Sequence, residues 1–174
     1  YGRIDVLFNS AYDPGAFEPI ESADLDGWRR AMDVNFFGTM QLTQACLPGL
    51  KAAGGGSIVM IATMVEHKPL ATQGGYGSSK SALRNATKHL ALELGKYNIR
   101  VNSVHMGWMW GPAVEGYFAW QSQATGRSAE ELQAEVASQI PLGVIPDDAD
   151  CAKAALFFAS DYSKVVTGAA LDVN

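Results

Sequence analysis

The sequence predicts an α/β fold in which parallel strands alternate with helices, as in one half of a doubly wound sheet. Three short runs rich in strand formers, IDVLFN, SIVMIA and IRVNSV, are separated by stretches with helical periodicity, and ALDVN closes the chain. Strands that alternate with helices in this way form a parallel sheet. We therefore expect four strands and about five helices, with ligands bound at the carboxyl ends of the strands.

Composition favours a globular protein that binds small molecules. The 174 residues are 48% apolar and carry a net charge of −5, and the 13 basic residues are scattered. Nucleic acid and membranes are therefore not expected as partners, and no apolar run is long enough to span a bilayer. Cys46 and Cys151 lie far apart, without metal-ligand spacing to the histidines. We expect reduced core thiols, no metal site and a cytoplasmic location.

The first two elements follow from strand composition and helical spacing. The apolar run Ile4–Asn9 predicts a buried strand, and a turn containing Pro and Gly follows it. An apolar stripe with a period of 3.6 residues predicts a helix from about Leu25 to Ala52, with Asp24 as its N-cap. That stripe comprises Trp28, Met32, Phe36, Met40, Thr43 and Leu47.

A glycine break and a strand lead to the segment that carries the chemistry. Gly54, Gly55 and Gly56 follow a helix and precede a strand, which is not the order of a phosphate-binding turn. The second strand covers Ser57–Ala62, so that the hydroxyl of Thr63 stands at its carboxyl end.

The helix that begins near Gly75 places Tyr76 and Lys80 on one face, because they are four residues apart. A phenol has a pKa of about 10, and a nearby ammonium favours its ionised form. This pair is a candidate general acid and base.

Aromatic residues follow the third strand, Ile99–Val104, in the stretch MGWMWGPAVEGYFAW. At the carboxyl end of a strand they suit an apolar substrate pocket, for which we single out Met64, Trp108, Trp110 and Tyr117. The alternative is that they only pack a helical lid onto the core, and the sequence favours neither. Farther on, Ser128 and Glu131 predict a capping box for a polar helix, and PDDADCAKAALFFAS predicts the last helix.

Four residues match the pattern of a known family in order and spacing. Asn35 lies 28 residues before Thr63, and Thr63 lies 13 residues before Tyr76, which Lys80 follows after four. This set resembles the Asn, Ser, Tyr and Lys tetrad of the short-chain dehydrogenase/reductase family. GRIDVLFNSA, NIRVNSV with a following Gly turn, and VTGAALDVN resemble further motifs of that family. The resemblance extends from Gly2 to Asn174.

The resemblance implies that residues 1–174 are a partial NAD(P)-binding Rossmann-type domain that carries the catalytic half. The family's first βαβαβ half, about 70 to 80 residues with a Gly-rich phosphate turn, is expected to be missing in front, and the family would continue shortly beyond the last residue. The implied cofactor is NAD or NADP. The residues implied to contact it are Asn9, Ala11, Tyr76, Lys80, Met106 and Gly107.

The resemblance also implies an activity, the interconversion of an alcohol and a carbonyl by hydride transfer. Tyr76 would exchange a proton with the substrate oxygen, and Thr63 would hydrogen-bond that oxygen. Lys80 would lower the pKa of Tyr76 and hold the cofactor ribose, while Asn35 would position a water that connects Lys80 to solvent. The substrate is expected to be small and apolar, and the intact protein a homodimer or homotetramer. The fragment alone is expected to be inactive.

Departures from the family pattern leave a second interpretation open. Tyr12 stands where the family has Gly, Met106 stands where it has Pro, and Gly111 stands near a position where Thr is common. Tyr12 and Met106 favour a non-catalytic dinucleotide-fold protein that binds or scaffolds, and nicotinamide binding by the full-length protein would separate the two. A different α/β enzyme, such as a methyltransferase, is disfavoured by the ordered tetrad. NAD and NADP cannot be told apart here.

Overall fold

A computed structural model describes residues 2–174 and places the strands of this part of the chain in one parallel sheet. The strands β1 (Val6–Asn9), β2 (Gly56–Thr63), β3 (Ile99–Met106) and β4 (Ala170–Val173) lie side by side in that order. Their register sets Asn9 beside Met60 and Thr63 beside Met106. The predicted α/β class and parallel topology are confirmed, and Thr63 and Met106 lie together at the carboxyl edge of the sheet.

The helical segments agree with the predicted number once one long run is counted as a unit. They are α1 (Leu25–Met32), a π-helix (Asp33–Gly38), α2 (Thr39–Ala52), α3 (Gly74–Leu94), α4 (Pro112–Thr125), α5 (Ala129–Ser138) and α6 (Asp148–Ala159). α1, the π-helix and α2 are continuous, as the predicted helix over 25–52 requires. The π-helix itself is not predicted, because a single wide turn leaves the apolar stripe almost unchanged.

Two caps of the predicted kind are present. The Asp24 side chain accepts a hydrogen bond of 2.9 Å from the backbone N–H of Asp26 at the start of α1. Ser128 and Glu131 form the capping box of α5, with distances of 3.1 and 3.2 Å. These side chains satisfy N–H groups that have no partner within the helix.

Apolar clusters cover both faces of the sheet. On one face Ile58 and Val101 pack with Leu50 of α2 and Leu83 of α3. On the other face Val59, Val104 and Met106 pack with Phe158 and Cys151 of α6. Because both faces of the sheet are buried, the strand sequences are continuously apolar and do not alternate between apolar and polar residues.

The third strand is longer than predicted. It continues past Val104 to Met106, because Ser103–Met106 pair with β2 on one side and with β4 on the other. Both cysteines are free thiols in the part of the chain described. Over the same residues, no helix combines the length and the apolar character that a membrane crossing demands.

Candidate active site

Thr63, Tyr76 and Lys80 line one cavity of about 330 Å³ at the carboxyl edge of the sheet. Thr63 is the last residue of β2, and Tyr76 and Lys80 occupy the first two turns of α3. α3 packs along β2 and β3, so its amino-terminal turns stand above the strand ends. Three members of the predicted tetrad therefore face the same space.

Lys80 is buried, and its ammonium is held by the sheet. Its Nζ donates a 2.8 Å hydrogen bond to the carbonyl of Ile61. Burial lowers the pKa of Lys80 to about 8, and the carboxylate of Glu66 opposes this shift. The ammonium therefore loses its proton at a pH well below that of a solvated lysine.

The pKa of Tyr76 responds in this structure to its burial and to two neighbouring hydroxyl groups, while the lowering by Lys80 stays a prediction. Burial raises the pKa of Tyr76, its hydrogen-bond interaction with Thr63 lowers it, and Tyr12 raises it further. The rings of Tyr12 and Tyr76 meet edge to face, with centroids 6.3 Å apart. Of these influences, the interaction with Thr63 is the one that favours the phenolate. The Lys80 ammonium donates to the Ile61 carbonyl.

The Thr63 hydroxyl is oriented by backbone groups at the end of β2. It donates to the carbonyl of Met106 at 3.4 Å and accepts from the N–H of Val65 at 3.3 Å. The second contact caps the short 3₁₀ turn Met64–Glu66. The strand end and the turn together fix this hydroxyl beside Tyr76.

Asn35 lies fully buried in the π-helix and ties three segments together. Its amide nitrogen donates to the Asp13 carbonyl at 2.8 Å and to the Ser79 hydroxyl at 2.9 Å, and its Oδ1 accepts from the Asp13 N–H at 2.7 Å. Both amide hydrogens are thus used within the protein. Asn35 is predicted to position a water molecule, and with both amide hydrogens occupied it would do so by accepting a hydrogen bond through an oxygen atom. A π-helix is frequently found at functional sites.

The residues predicted to contact the cofactor divide into two groups. Met106 and Gly107 line the cavity of Tyr76. Asn9 is buried and donates a 3.1 Å hydrogen bond to Thr43 of α2, while Ala11 is exposed and lies outside the cavity lining. Ser10 and Tyr12 line the cavity instead.

A second cavity of about 250 Å³ shares Thr63, Met106, Gly107 and Trp108 with the first. Met64 and Trp108, two of the four residues singled out for a substrate pocket, line it. Its wall includes Val136 and Ile140 of the α5 region, which the sequence analysis did not single out. Their spacing of four residues on a helical stretch was the available signal.

Trp110 and Tyr117 lie outside both cavities. Trp110 stacks on Phe118 with centroids 6.2 Å apart, and Tyr117 meets the same ring edge to face at 5.4 Å. Phe118 is 1% exposed. The alternative of lid packing therefore describes these two residues, because Phe118 forms the centre of the aromatic cluster that holds α4.

A cluster around the buried Glu66 carboxylate lies behind the site, and the sequence did not predict it. The Glu66 carboxylate contacts Nδ1 of His105 directly, and it lies 3.5 Å from Nε of Arg84 and 3.6 Å from Nδ1 of His67. Nε2 of His67 is 3.3 Å from Asp172. Donor atoms of Glu66, His67 and His105 lie within 4.8 Å of one another, a spacing that could hold a metal ion.

No local signal predicts this cluster, because Glu66 and His105 are far apart in the chain and only the pairing of β2 with β3 brings them together. The Arg84 guanidinium makes it an ion-pair cluster in the described structure. Arg84 follows Lys80 by one helical turn, so the cluster adjoins the candidate catalytic pair.

The residues at the first cavity fit one end of a nicotinamide dinucleotide. A phenol and a buried ammonium face a space of about 330 Å³ with Gly107 at its wall, which suits the hydroxyls and ring of a nicotinamide riboside. A glycine-rich turn for the phosphates is absent from residues 1–174, which contain no Gly-x-Gly-x-x-Gly sequence.

Comparison with protein families gives a match over the whole chain. The family model described as enoyl-(acyl carrier protein) reductase matches residues 1–174. The chain is 35% identical, over its full length, to trans-4-hydroxycyclohexanecarboxylate dehydrogenase of Sinomonas cyclohexanicum, of which it covers 60%. It is 30% identical over 97% of its length to cyclohexanol dehydrogenase of an Acinetobacter species, of which it covers 61%.

The fold is also similar to a solved structure with a bound dinucleotide. The crystal structure of NAD⁺-bound xylitol dehydrogenase superposes with a TM-score of 0.89 and 28% identity. The match covers 99% of this chain and 68% of that one. The chain thus spans about 60% of the length of the two curated relatives above.

Proposed function

Because this chain belongs to the short-chain dehydrogenase/reductase family, we propose that the whole protein interconverts an alicyclic alcohol and its ketone with NAD or NADP. The observation that carries this proposal is the placement of Thr63, Tyr76 and Lys80 around one cavity at the strand ends. An acid–base group and a second hydroxyl can move the proton of an alcohol and stabilise charge on its oxygen, and a buried ammonium can relay that proton.

Each side chain has a part in moving the proton. When bound, a nicotinamide dinucleotide supplies the acceptor or donor of hydride. In oxidation, Oη of Tyr76 in its phenolate form takes the proton of the substrate hydroxyl, and the Thr63 hydroxyl turns from the Met106 carbonyl to donate to the same oxygen and orient it. In reduction, Oη of Tyr76 returns the proton to the carbonyl oxygen. Burial makes the pKa of Lys80 about 8, so Lys80 can pass a proton onward near neutral pH.

The relatives indicate the class of alcohol. Two of them are named for a hydroxyl on a cyclohexane ring. In this chain the second cavity offers Met64, Trp108 and Ile140 as apolar walls beside Thr63, which suits a saturated ring. We take a secondary alcohol on such a ring as the substrate.

The test is turnover by the whole protein with cyclohexanol and either NAD or NADP, followed as nicotinamide absorbance. Tyr76→Phe should lower kcat by about 10² to 10⁴, the range for loss of a general acid–base group. Tyr117→Phe is a matched control, because Tyr117 lies outside both cavities. Turnover that survives Tyr76→Phe would contradict the assignment.

A non-catalytic binding or scaffolding role is the second candidate, favoured by Tyr12. Its ring contacts Tyr76 at the mouth of the cavity, where the family has no side chain. A space of about 330 Å³ remains beside both rings, and this supports the enzyme. Nicotinamide binding without turnover of any alcohol would favour the second role.

The whole protein is further proposed to be a homodimer or homotetramer located in the cytoplasm. Support for assembly comes from Phe37 and Leu42, which are 51% and 48% exposed on the run formed by the π-helix and α2. A subunit contact through this run would remove both apolar side chains from water, and that burial favours association.

A further inference from the structure

The second cavity has a single charged residue in its lining. Apolar side chains form most of the wall, and Thr63, Gln73, Gln139 and Asn174 are uncharged polar residues. Lys68 is the one that carries a charge. A cationic group at the wall of an apolar cavity selects a ligand that bears the opposite charge.

The position of Lys68 is set by the turn that follows β2. Its backbone N–H donates a 2.8 Å hydrogen bond to the carbonyl of Met64, the residue next to Thr63. This bond closes one helical turn, so that Lys68 stands at the same cavity as the Thr63 hydroxyl. Thr63 and Lys68 line the same cavity, so a ligand with one end at the Thr63 hydroxyl occupies the space beside Lys68.

The acidic groups near Lys68 in the chain and in the fold have other partners. Glu66 contacts His105 and Arg84, and Asp172 lies beside His67. Over residues 2–174, no carboxylate lies within 4.0 Å of the Lys68 ammonium. Its charge is thus available to a ligand.

We infer that Lys68 binds a carboxylate of the substrate, so that the enzyme acts on an alicyclic hydroxy acid. The ring lies between Met64 and Trp108, with its hydroxyl at Thr63 and Tyr76 and its carboxylate on Lys68. The amides of Gln73 and Gln139 are further donors at this cavity. This inference rests on the proposed function for the identity of the reacting group, but the ion pair can be tested without turnover.

Binding is measured on the whole protein with two matched probes, cyclohexanecarboxylate and the uncharged cyclohexanecarboxamide. Trp108 lines the cavity, so tryptophan fluorescence reports occupancy. A charge-assisted hydrogen bond corresponds to roughly a 10- to 100-fold preference for the carboxylate. Lys68→Met should remove that preference because it weakens the binding of the carboxylate and leaves the binding of the carboxamide unchanged. Lys68→Glu should reverse the preference. Lys88→Met, a change of an exposed lysine on α3, should leave it unaltered.

Turnover of 4-hydroxycyclohexanecarboxylate and of its carboxamide then tests the reaction. Lys68→Met should raise KM for the acid about 10- to 100-fold and leave its kcat within about twofold of the unaltered protein. For the carboxamide, both KM and kcat should stay within about twofold. Equal binding of the two probes by the unaltered protein, or a preference that survives Lys68→Met, would overturn the inference. A carboxylate preference in binding without turnover of either alcohol would leave Lys68 as the anion site and reject the proposed function instead.

Discussion

At the scale of single residues, the candidate site depends on groups whose ionisation is set by burial. Lys80 is 2% exposed and has a single hydrogen bond, to the carbonyl of Ile61. Its lowered pKa means that holding the charged form in the fold costs free energy. Because the charged form is disfavoured in this way, the Lys80 ammonium can release its proton near neutral pH.

The pH dependence of stability should report this cost. The pKa of Lys80 is about 8 in the fold against 10.5 for the ordinary group, so between these values the unfolded chain binds more protons. The free energy of unfolding should therefore rise with pH from about 8 to 10, by about 1 kcal/mol per pH unit. Urea unfolding without cofactor measures this rise, and Lys80→Met should abolish it. An equal rise in both proteins would show that another group is responsible.

The charged cluster gives a second prediction at this scale. Glu66→Gln removes the negative charge beside His105, which is fully buried, and beside Arg84, whose side chain is 42% exposed. The buried His105 would lose the carboxylate that contacts its Nδ1, whereas Arg84 can turn to water, so we expect a loss of about 1–3 kcal/mol. Glu130→Gln, on the exposed first turn of α5, should change unfolding by less than about 0.5 kcal/mol. Urea unfolding of both variants measures the difference. Similar unfolding midpoints for Glu66→Gln and Glu130→Gln would contradict a structural role for the cluster.

At the scale of elements, the amino-terminal turn of α3 decides where Tyr76 stands. Gly74 and Gly75 lie against the indole of Trp28 in α1, and a Cβ on Gly75 would lie 2.9 Å from Cγ of that ring. Glycine is therefore required by close approach, and the helix that carries Tyr76 and Lys80 is positioned by α1.

This close approach can be tested with two glycine substitutions in helices. Gly75→Ala should destabilise the protein by about 1–3 kcal/mol, because the indole is too rigid to yield easily. Gly116→Ala in α4, where an added Cβ meets nothing within 4 Å, should stabilise it by about 0.5–1 kcal/mol. Thermal unfolding of the two variants shows whether each substitution raises or lowers the stability of the protein. Stabilisation by both would mean that α1 and α3 can separate without cost.

At the scale of the whole molecule, residues 1–174 carry the candidate site residues but contain no glycine-rich turn of the kind that holds cofactor phosphates. Residues 1–174 contain no glycine-rich turn between a strand and a helix, and that turn is the usual anchor for a dinucleotide. Phe8 on β1 is 40% exposed, and over the described residues β1 pairs only with β2.

Residues 1–174 produced alone should therefore fail to bind NADH or NADPH at sub-millimolar concentration, and they should aggregate through β1. Quenching of the four tryptophans during titration measures binding, with the whole protein as the positive control. Turnover by residues 1–174 that Tyr76→Phe removes would show that no further segment is needed for activity.

Assembly is the other prediction for the whole protein. A contact through the π-helix and α2 would cover Phe37 and Leu42, which are exposed in the single chain. Light scattering at micromolar concentration should give the mass of a dimer or tetramer, and Phe37→Glu with Leu42→Glu should shift that mass toward the monomer. Lys51→Glu, a change of an exposed residue on α2, is a control for the added negative charge. A monomeric mass for the unaltered protein would reject the proposal.

Local pattern alone determined the order of strands and helices, the shared face of Tyr76 and Lys80, and the capping box at Ser128. These features depend on residues within about four positions of one another, and such contacts follow from helix and strand geometry.

Tertiary structure alone decided the partners of each group. It set the Lys80 ammonium on the Ile61 carbonyl, turned Asn9 toward Thr43, placed Trp110 outside the cavities and brought His105 to Glu66. Each of these contacts joins segments at least 19 residues apart, apart from the packing of Trp110 on α4. Side-chain choices at that range follow from competition among all neighbours for burial and hydrogen bonds, which no sequence window contains.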